Sequence, residues 1–309
     1  MVRHFLDLTD YSADEIRRLL ALAQRLKKEW SAGGNKPILN GKVLGMVFQK
    51  PSLRTRVSFD MGMRHLGGDA LYISPNEVGL GQRESVADVS RVLSRYVDGI
   101  MARVFAHAHV LELARHSRVP VINGLSDDVH PCQAMADMLT LVEHFTDVRG
   151  RKVAFIGDGN NTAVSLMQIC AKLGVEFAIA SPDGYTLPEA AVAAARKDAQ
   201  AAGSRIVLVK EPAQAAVDAD ALYTDAWVSM GQEEETLQRE KAFAGYQVNA
   251  ALMREAKPQA VVLHCLPAHR GKEITDEVMD GPQSLIFEEA ENRLHAQKAI
   301  LADRLAPDA

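Results

Sequence analysis

Cysteine is scarce in this chain of 309 residues: there are three, Cys132, Cys170 and Cys265, spread far apart. No zinc-ligand spacing can be drawn among them, and any disulfide scheme leaves one over, so a reducing, cytoplasmic setting is expected. Long apolar runs are missing too. The longest stretch without Asp, Glu, Lys or Arg is residues 159–171, thirteen residues, too short to span a bilayer. The amino-terminal MVRHFLDLTD has no apolar run after its arginine, so neither a secretory leader nor a membrane partner is expected. There is no basic excess: 35 Lys and Arg face 40 Asp and Glu, a formal charge of −5. Neutralising phosphates along a strand takes a basic surface, so nucleic acid is not expected as a partner. No like-charge block or low-complexity tract points to disorder. What remains, 47% hydrophobic and 24% charged residues, is the balance of an ordinary globular protein. The length predicts two domains, each able to bury its own core.

Along the chain, strand, loop and helix alternate. Ser12 with Glu15 reads as a capping box, and Ile16, Leu19, Leu20, Ala23 and Leu26 share one helical face that ends before Gly33 and Gly34. Residues 43–48 form a short apolar run that stops at the turn-prone Gln49-Lys50-Pro51-Ser52. Further strands are expected at 70–73, 99–104 and 119–122, with helices at 86–96 and 131–145, the latter started by Pro131. The pattern restarts near residue 150. Strands are expected at 153–156, 175–180, 206–209, 221–224 and 260–264, and helices at 161–173 and 189–201. Repeated βαβ units predict an α/β fold of two domains, each a mostly parallel sheet with helices on both faces. Ligands in such sheets sit at the carboxyl ends of strands, so chemistry is sought there.

Five segments follow strands. Ser52-Leu53-Arg54-Thr55-Arg56 would place two hydroxyls and two guanidiniums at a helix start, where free N–H groups and the helix dipole favour a dianion such as phosphate. The plain alternative is a capped helix whose arginines reach solvent. In His130-Pro131-Cys132-Gln133, a histidine and an amide can donate to a carbonyl, although alone the histidine reads as a cap. Gly157-Asp158-Gly159-Asn160-Asn161-Thr162 invites a dinucleotide reading, but Thr162 stands where the third glycine belongs, and two asparagines suit a polar zwitterion. The segment from Thr224 to Glu233 offers Asp225 to an ammonium group, or is an acidic surface loop. In Leu263-His264-Cys265-Leu266-Pro267, Cys265 is either a small buried hydrophobe or a polarisable contact for an amine, and His269 and Arg270 read as solvated.

In this order, together with EAENR at residues 289–293, the segments resemble the aspartate/ornithine carbamoyltransferase family, on its ornithine branch. The resemblance runs from Phe5 to the final helix. It implies transfer of the carbamoyl group of carbamoyl phosphate to the δ-amine of L-ornithine, giving L-citrulline and phosphate, in arginine biosynthesis or in reverse in its catabolism. A carbamoyltransferase for putrescine or N-acetylornithine is the nearest alternative. A nicotinamide oxidoreductase would rest on GDGNN alone, and a noncatalytic relative would have no need of the full polar set. The resemblance implies a carbamoyl phosphate-binding domain at 1–147, with a helix at about 292–309 packing back on it, and an ornithine-binding domain at 148–291. Ser52, Leu53, Arg54, Thr55 and Arg103 would hold carbamoyl phosphate, with His130, Pro131, Cys132 and Gln133 at its carbamoyl end. Leu53 stands in place of a more usual Thr, a contact that backbone N–H can supply. Asn161, Asp225, Ser229 and Met230 would hold ornithine, and Cys265 and Leu266 would lie where amine meets carbamoyl carbon. Arg293 would close the pocket near the leaving group, and Arg103, His130, Asp225 and Cys265 would act in catalysis. No metal or organic cofactor is called for. A homotrimer is implied, with higher assembly of trimers left open. Many relatives carry a Gln reaching into the neighbouring subunit where this chain has Gly79, with Gln82 and Arg83 close by.

Overall fold

The computed structural model describes residues 2–228 and 233–307. The chain divides into two compact units, Met1–Leu139 with Glu291–Ala309, and Thr140–Ala290.

The first unit opens with α1 (Ala13–Ser31). Its capping box is present: Ser12 Oγ accepts from Glu15 N at 3.2 Å, while Glu15 Oε2 accepts from Ser12 N at 2.9 Å. The apolar stripe from Ile16 to Leu26 is buried, as its spacing requires. Four parallel strands follow, β1 (Val43–Phe48), β2 (Asp69–Ile73), β3 (Gly99–Arg103) and β4 (Val121–Leu125), in the order β2-β1-β3-β4. Between them run α2 (Leu53–His65), α3 (Pro75–Val78), α4 (Val86–Leu93) and α5 (His107–His116), and α6 (Pro131–Phe145) leaves the sheet. β3 and β4 are buried along their whole length, Arg103 and Asn123 being their polar residues.

The second unit has five parallel strands, β5 (Lys152–Ile156), β6 (Glu176–Ala180), β7 (Ile206–Val209), β8 (Ala221–Thr224) and β9 (Val261–His264), in the order β7-β6-β5-β8-β9. Helices α7 (Asn161–Leu173), α8 (Glu189–Ala202), α9 (Pro212–Ala216), α10 (Thr236–Ala242), α11 (Ala250–Met253) and α12 (Asp276–Met279) surround it. A last helix, α13 (Ile286–Leu305), ends the chain.

Several boundaries differ from expectation, most by one residue and a few by more. Helix α4 stops at Leu93 rather than 96, because Arg95 and Tyr96 turn back on Val92 and Leu93. Strand β4 starts at Val121 rather than 119, since Pro120 has no N–H to give, and it runs on through polar Asn123, whose amide donates to Leu6 O at 3.0 Å. The last helix begins at Ile286, six residues before the start at about 292 that the resemblance implied, and ends at Leu305. Among the described residues no helix is long and apolar enough to cross a membrane.

Candidate functional site

Each sheet has one place where neighbouring strands are followed by connections that leave in opposite directions, and ligands gather there. In the first unit this lies between β1 and β3. After β1, Ser52 caps α2: its Oγ accepts from Thr55 N at 3.3 Å and donates to Thr55 Oγ1 at 3.1 Å. Arg54 is half-buried one residue into the helix, and Thr55 is buried. Arg103 closes β3 and is buried. His130 and Gln133 stand at the start of α6, and Arg293 on α13 joins them: Nη1 donates to Gln133 Oε1 at 2.5 Å and Nη2 to Thr55 Oγ1 at 3.4 Å. Burial, then the charges of Arg293, Arg103 and Lys50, hold the His130 imidazole well below its ordinary pKa, so it is neutral.

Not every expected side chain turns inward. Leu53 is 76% exposed, leaving only its backbone for a ligand. Cys132 is fully buried with Sγ donating to Asn123 O at 3.3 Å, and burial pushes its thiol up to about 12. Pro131 is the first residue of α6. Gly79 has φ 48°, and a Cβ there would lie 2.6 Å from Arg83 Cβ, so this loop has no room for a glutamine at that position. Gln82 and Arg83 are exposed.

In the second unit the switch lies between β5 and β8. The glycines after β5 serve the backbone: Gly157 has φ 145°, and a side chain at Gly159 would strike Thr186 and Leu187. That accounts for the GxG spacing without a dinucleotide. Asn160 caps α7, accepting from Thr162 N and Ala163 N, and its Nδ2 donates to Asp225 Oδ2 at 2.9 Å. Asn161 is half-buried as the first residue of α7. Asp225 Oδ1 accepts from Ala226 N at 2.8 Å and from Cys265 Sγ at 2.9 Å. Leu266 has φ 58° and donates its N–H to His264 Nδ1 at 2.9 Å; the bond to Pro267 is cis. Asp225, His264 and Cys265 present ligand-type atoms within 4.8 Å of one another, but each is already engaged: Cys265 with Asp225, His264 with Leu266 N and Glu273. Ser229 and Met230 lie outside the described residues. His269 and Arg270 are exposed as expected, Arg270 pairing with Asp276 and Asp280.

Several buried groups escaped the sequence reading. Lys50 pairs with Asp127 and lies 4.4 Å from the Phe105 ring. Arg239 donates to Asp158 at 2.6 Å, to Glu235 at 2.8 Å and to Trp227 O at 3.1 Å. Burial outweighs that ion pair for Asp158, whose pKa is raised. Glu289 accepts from Tyr223 OH at 3.1 Å and from His264 N at 2.8 Å, tying the ends of β8 and β9 together. The one-turn spacing of Glu235 and Arg239 and the place of Glu289 in EAENR were the signals available for these.

Comparison with known proteins agrees along the whole chain. Residues 3–143 match the family described as aspartate/ornithine carbamoyltransferase, carbamoyl-P binding domain, and residues 149–303 match its Asp/Orn binding domain. An ornithine carbamoyltransferase of Symbiobacterium thermophilum is 54% identical over 97% of this chain and 96% of that protein. One of Pyrococcus furiosus, named anabolic, is 50% identical over 97% of this chain and 95% of its own length. The solved structure of ornithine carbamoyltransferase from Pyrococcus furiosus superposes with a TM-score of 0.96 at 49% identity, covering 99% of this chain and 98% of that one. That from Thermus thermophilus gives 0.89 at 44%, covering 99% of each. Parallel sheets with polar residues gathered at their switch points, and relatives matched from end to end, lead to one conclusion: the chain belongs to the aspartate/ornithine carbamoyltransferase family.

Proposed function

We infer that this chain transfers the carbamoyl group of carbamoyl phosphate to the δ-amine of L-ornithine, releasing L-citrulline and phosphate. The observation that carries the reading is the opposite character of the two switch points, in a chain whose nearly full-length relatives are named ornithine carbamoyltransferase. One holds Arg293 against Thr55 and Gln133, with His130 in the field of Arg293 and Arg103, and together with Ser52 and Arg54 at the start of α2 these groups suit a phosphate dianion and a carbonyl oxygen. The other centres on the Asp225 carboxylate, which suits an ammonium group.

The chemistry follows from these groups. The neutral δ-amine attacks the carbonyl carbon, a tetrahedral species forms, and phosphate leaves. Charge developing on the carbonyl oxygen needs donors already in place; Thr55, Arg103 and His130 supply them, each worth roughly 3 kcal/mol in such settings. A neutral His130 donates an N–H without adding a further charge to the pocket. Asn161, Asp225, Ser229 and Met230 hold the amino-acid end, and Cys265 and Leu266 orient the amine. The departing phosphate takes the amine's proton. No metal or organic cofactor enters this scheme, and the same steps run in reverse for citrulline breakdown.

Assays of carbamoyl transfer with ornithine, putrescine, N-acetylornithine and aspartate, each offered separately, test it. Product with ornithine alone is the expected result. Turnover with another amine instead would leave the phosphate site standing and overturn the assignment around Asp225.

We also propose that the protein is cytoplasmic and assembles as a homotrimer. Three thiols without a disulfide, two of them buried, support the first. An exposed apolar line on α2, Leu53, Val57 and Met61, beside Leu71 on β2, supports the second. A light-scattering mass of a single chain in solution would refute the trimer.

A further inference from the structure

Beneath the phosphate-side residues lies a carboxylate that the reaction scheme leaves unused. Asp137 follows Gln133 by one turn of α6, so the two side chains share a helix face. Asp137 is fully buried, and its Oδ1 accepts from Gln133 Nε2 at 2.7 Å. On its other side Gln133 turns Oε1 to Arg293, whose Nη1 donates at 2.5 Å, while Nη2 of the same guanidinium reaches Thr55 Oγ1 at 3.4 Å. A guanidinium has nothing but donors, and Asp137 turns Oδ1, an acceptor, to Gln133. Between these two neighbours the Gln133 amide has one satisfied orientation, nitrogen towards Asp137 and oxygen towards Arg293.

We propose that Asp137 is a positioning residue that makes this site select a carbamoyl group over other acyl groups. By holding the Gln133 nitrogen, it presents Oε1 as an acceptor. An amide oxygen accepts in two directions, and Arg293 takes one. The second matches an N–H of the carbamoyl amide, which the methyl of an acetyl group cannot supply. With the amide turned over, Gln133 would set its own NH2 against the ligand's NH2, donor against donor. The proposal rests on the reading that Gln133 meets the carbamoyl group.

Two phosphonates and inorganic phosphate, offered to the intact protein, separate the possibilities by calorimetry: phosphonoacetamide, and acetonylphosphonate, which has methyl in place of the amide nitrogen. The unaltered protein is expected to prefer the amide over the ketone by about tenfold, the worth of one hydrogen bond. In Asp137→Leu and Asp137→Ala the preference is expected to fall to within about twofold, with phosphate affinity changed by no more than about twofold. Asp137→Asn, whose Oδ1 can still accept from Gln133, is expected to keep most of the preference. A general loosening of the pocket would weaken both organic ligands alike and leave their ratio unmoved. A folded Leu or Ala variant with the original ratio overturns the proposal, as does an Asn variant as unselective as the Leu variant. If the unaltered protein itself does not prefer the amide, the Gln133 contact is wrong, and the role of Asp137 falls with it.

Discussion

Both switch points are reversals of strand order in a parallel sheet, yet they hold opposite chemistry. Around β1 and β3 the converging groups are guanidiniums, hydroxyls and a neutral imidazole, with Asp137 as a carboxylate placed behind Gln133. Around β5 and β8 a carboxylate stands at the centre, and three N–H or S–H groups converge on Asp225. Strand ends supply position; the sign of the charge there decides which ligand is taken. A parallel sheet offers several such ends side by side, so a few substitutions in the loops reverse the polarity without altering the core.

The sharpest way to break this comparison is on the cationic side. Arg54→Ala is expected to lower kcat/KM by at least ~10³-fold while circular dichroism stays unchanged, as for loss of a preorganised charge contact. Normal turnover in that variant would remove the phosphate assignment. Next is the buried pair of the second unit. Arg239→Met leaves Asp158 buried without its cation and is expected to cost about 3 kcal/mol in urea denaturation, since an orphaned buried charge is worse than none. An unchanged midpoint would show that Asp158 finds another donor. A smaller effect tests the polarity directly: Asp225→Ala should raise KM for ornithine roughly 10- to 100-fold and KM for carbamoyl phosphate by less than about threefold. Equal losses for both substrates would contradict the division of labour.

The neutral histidine gives a pH test. Its folded pKa lies well below 6.5, the unfolded value, so between these two the unfolded chain binds a proton that the folded chain refuses. Stability therefore falls as pH drops below about 6.5, by up to ~1.4 kcal/mol per pH unit from this group, and His130→Asn should lose that part of the slope. Identical slopes in the two proteins would place a charged imidazole in the pocket. The mildest test concerns the thiols. Half-buried Cys265 should react with a small thiol reagent before Cys132 and Cys170, both buried, and ornithine should slow its labelling. First labelling at Cys132 would mean that the start of α6 opens.

Much of this arrangement was legible beforehand. Runs such as residues 43–48 and 153–156 coincide with strands because a parallel strand covered on both faces has to be apolar along its length. The segments expected to carry chemistry fall at strand ends for the same reason that topology places ligands there. Cys132 shows the limit: the HPCQ motif names four adjacent residues, but a helix start points successive side chains in different directions, and Cys132 faces Asn123 in the core. The Gly159 reading shows another limit, since a glycine needed for close backbone approach looks the same on paper as one that cradles phosphate.

Local order, then, was set by the amino-acid sequence alone: the capping box of α1, the alternation of strand and helix, and the kinds of polar group delivered to each strand end. Those depend on residues within a few positions of one another, where periodicity and capping chemistry act. Only the tertiary structure decided which polar groups meet. Arg293 reaches Gln133 across 160 positions, Asp225 meets Cys265 across 40, and Arg239 finds Asp158 across 81. Such pairings arise because burial forces each charge or amide to find a partner in space, and sequence distance has no bearing on that choice.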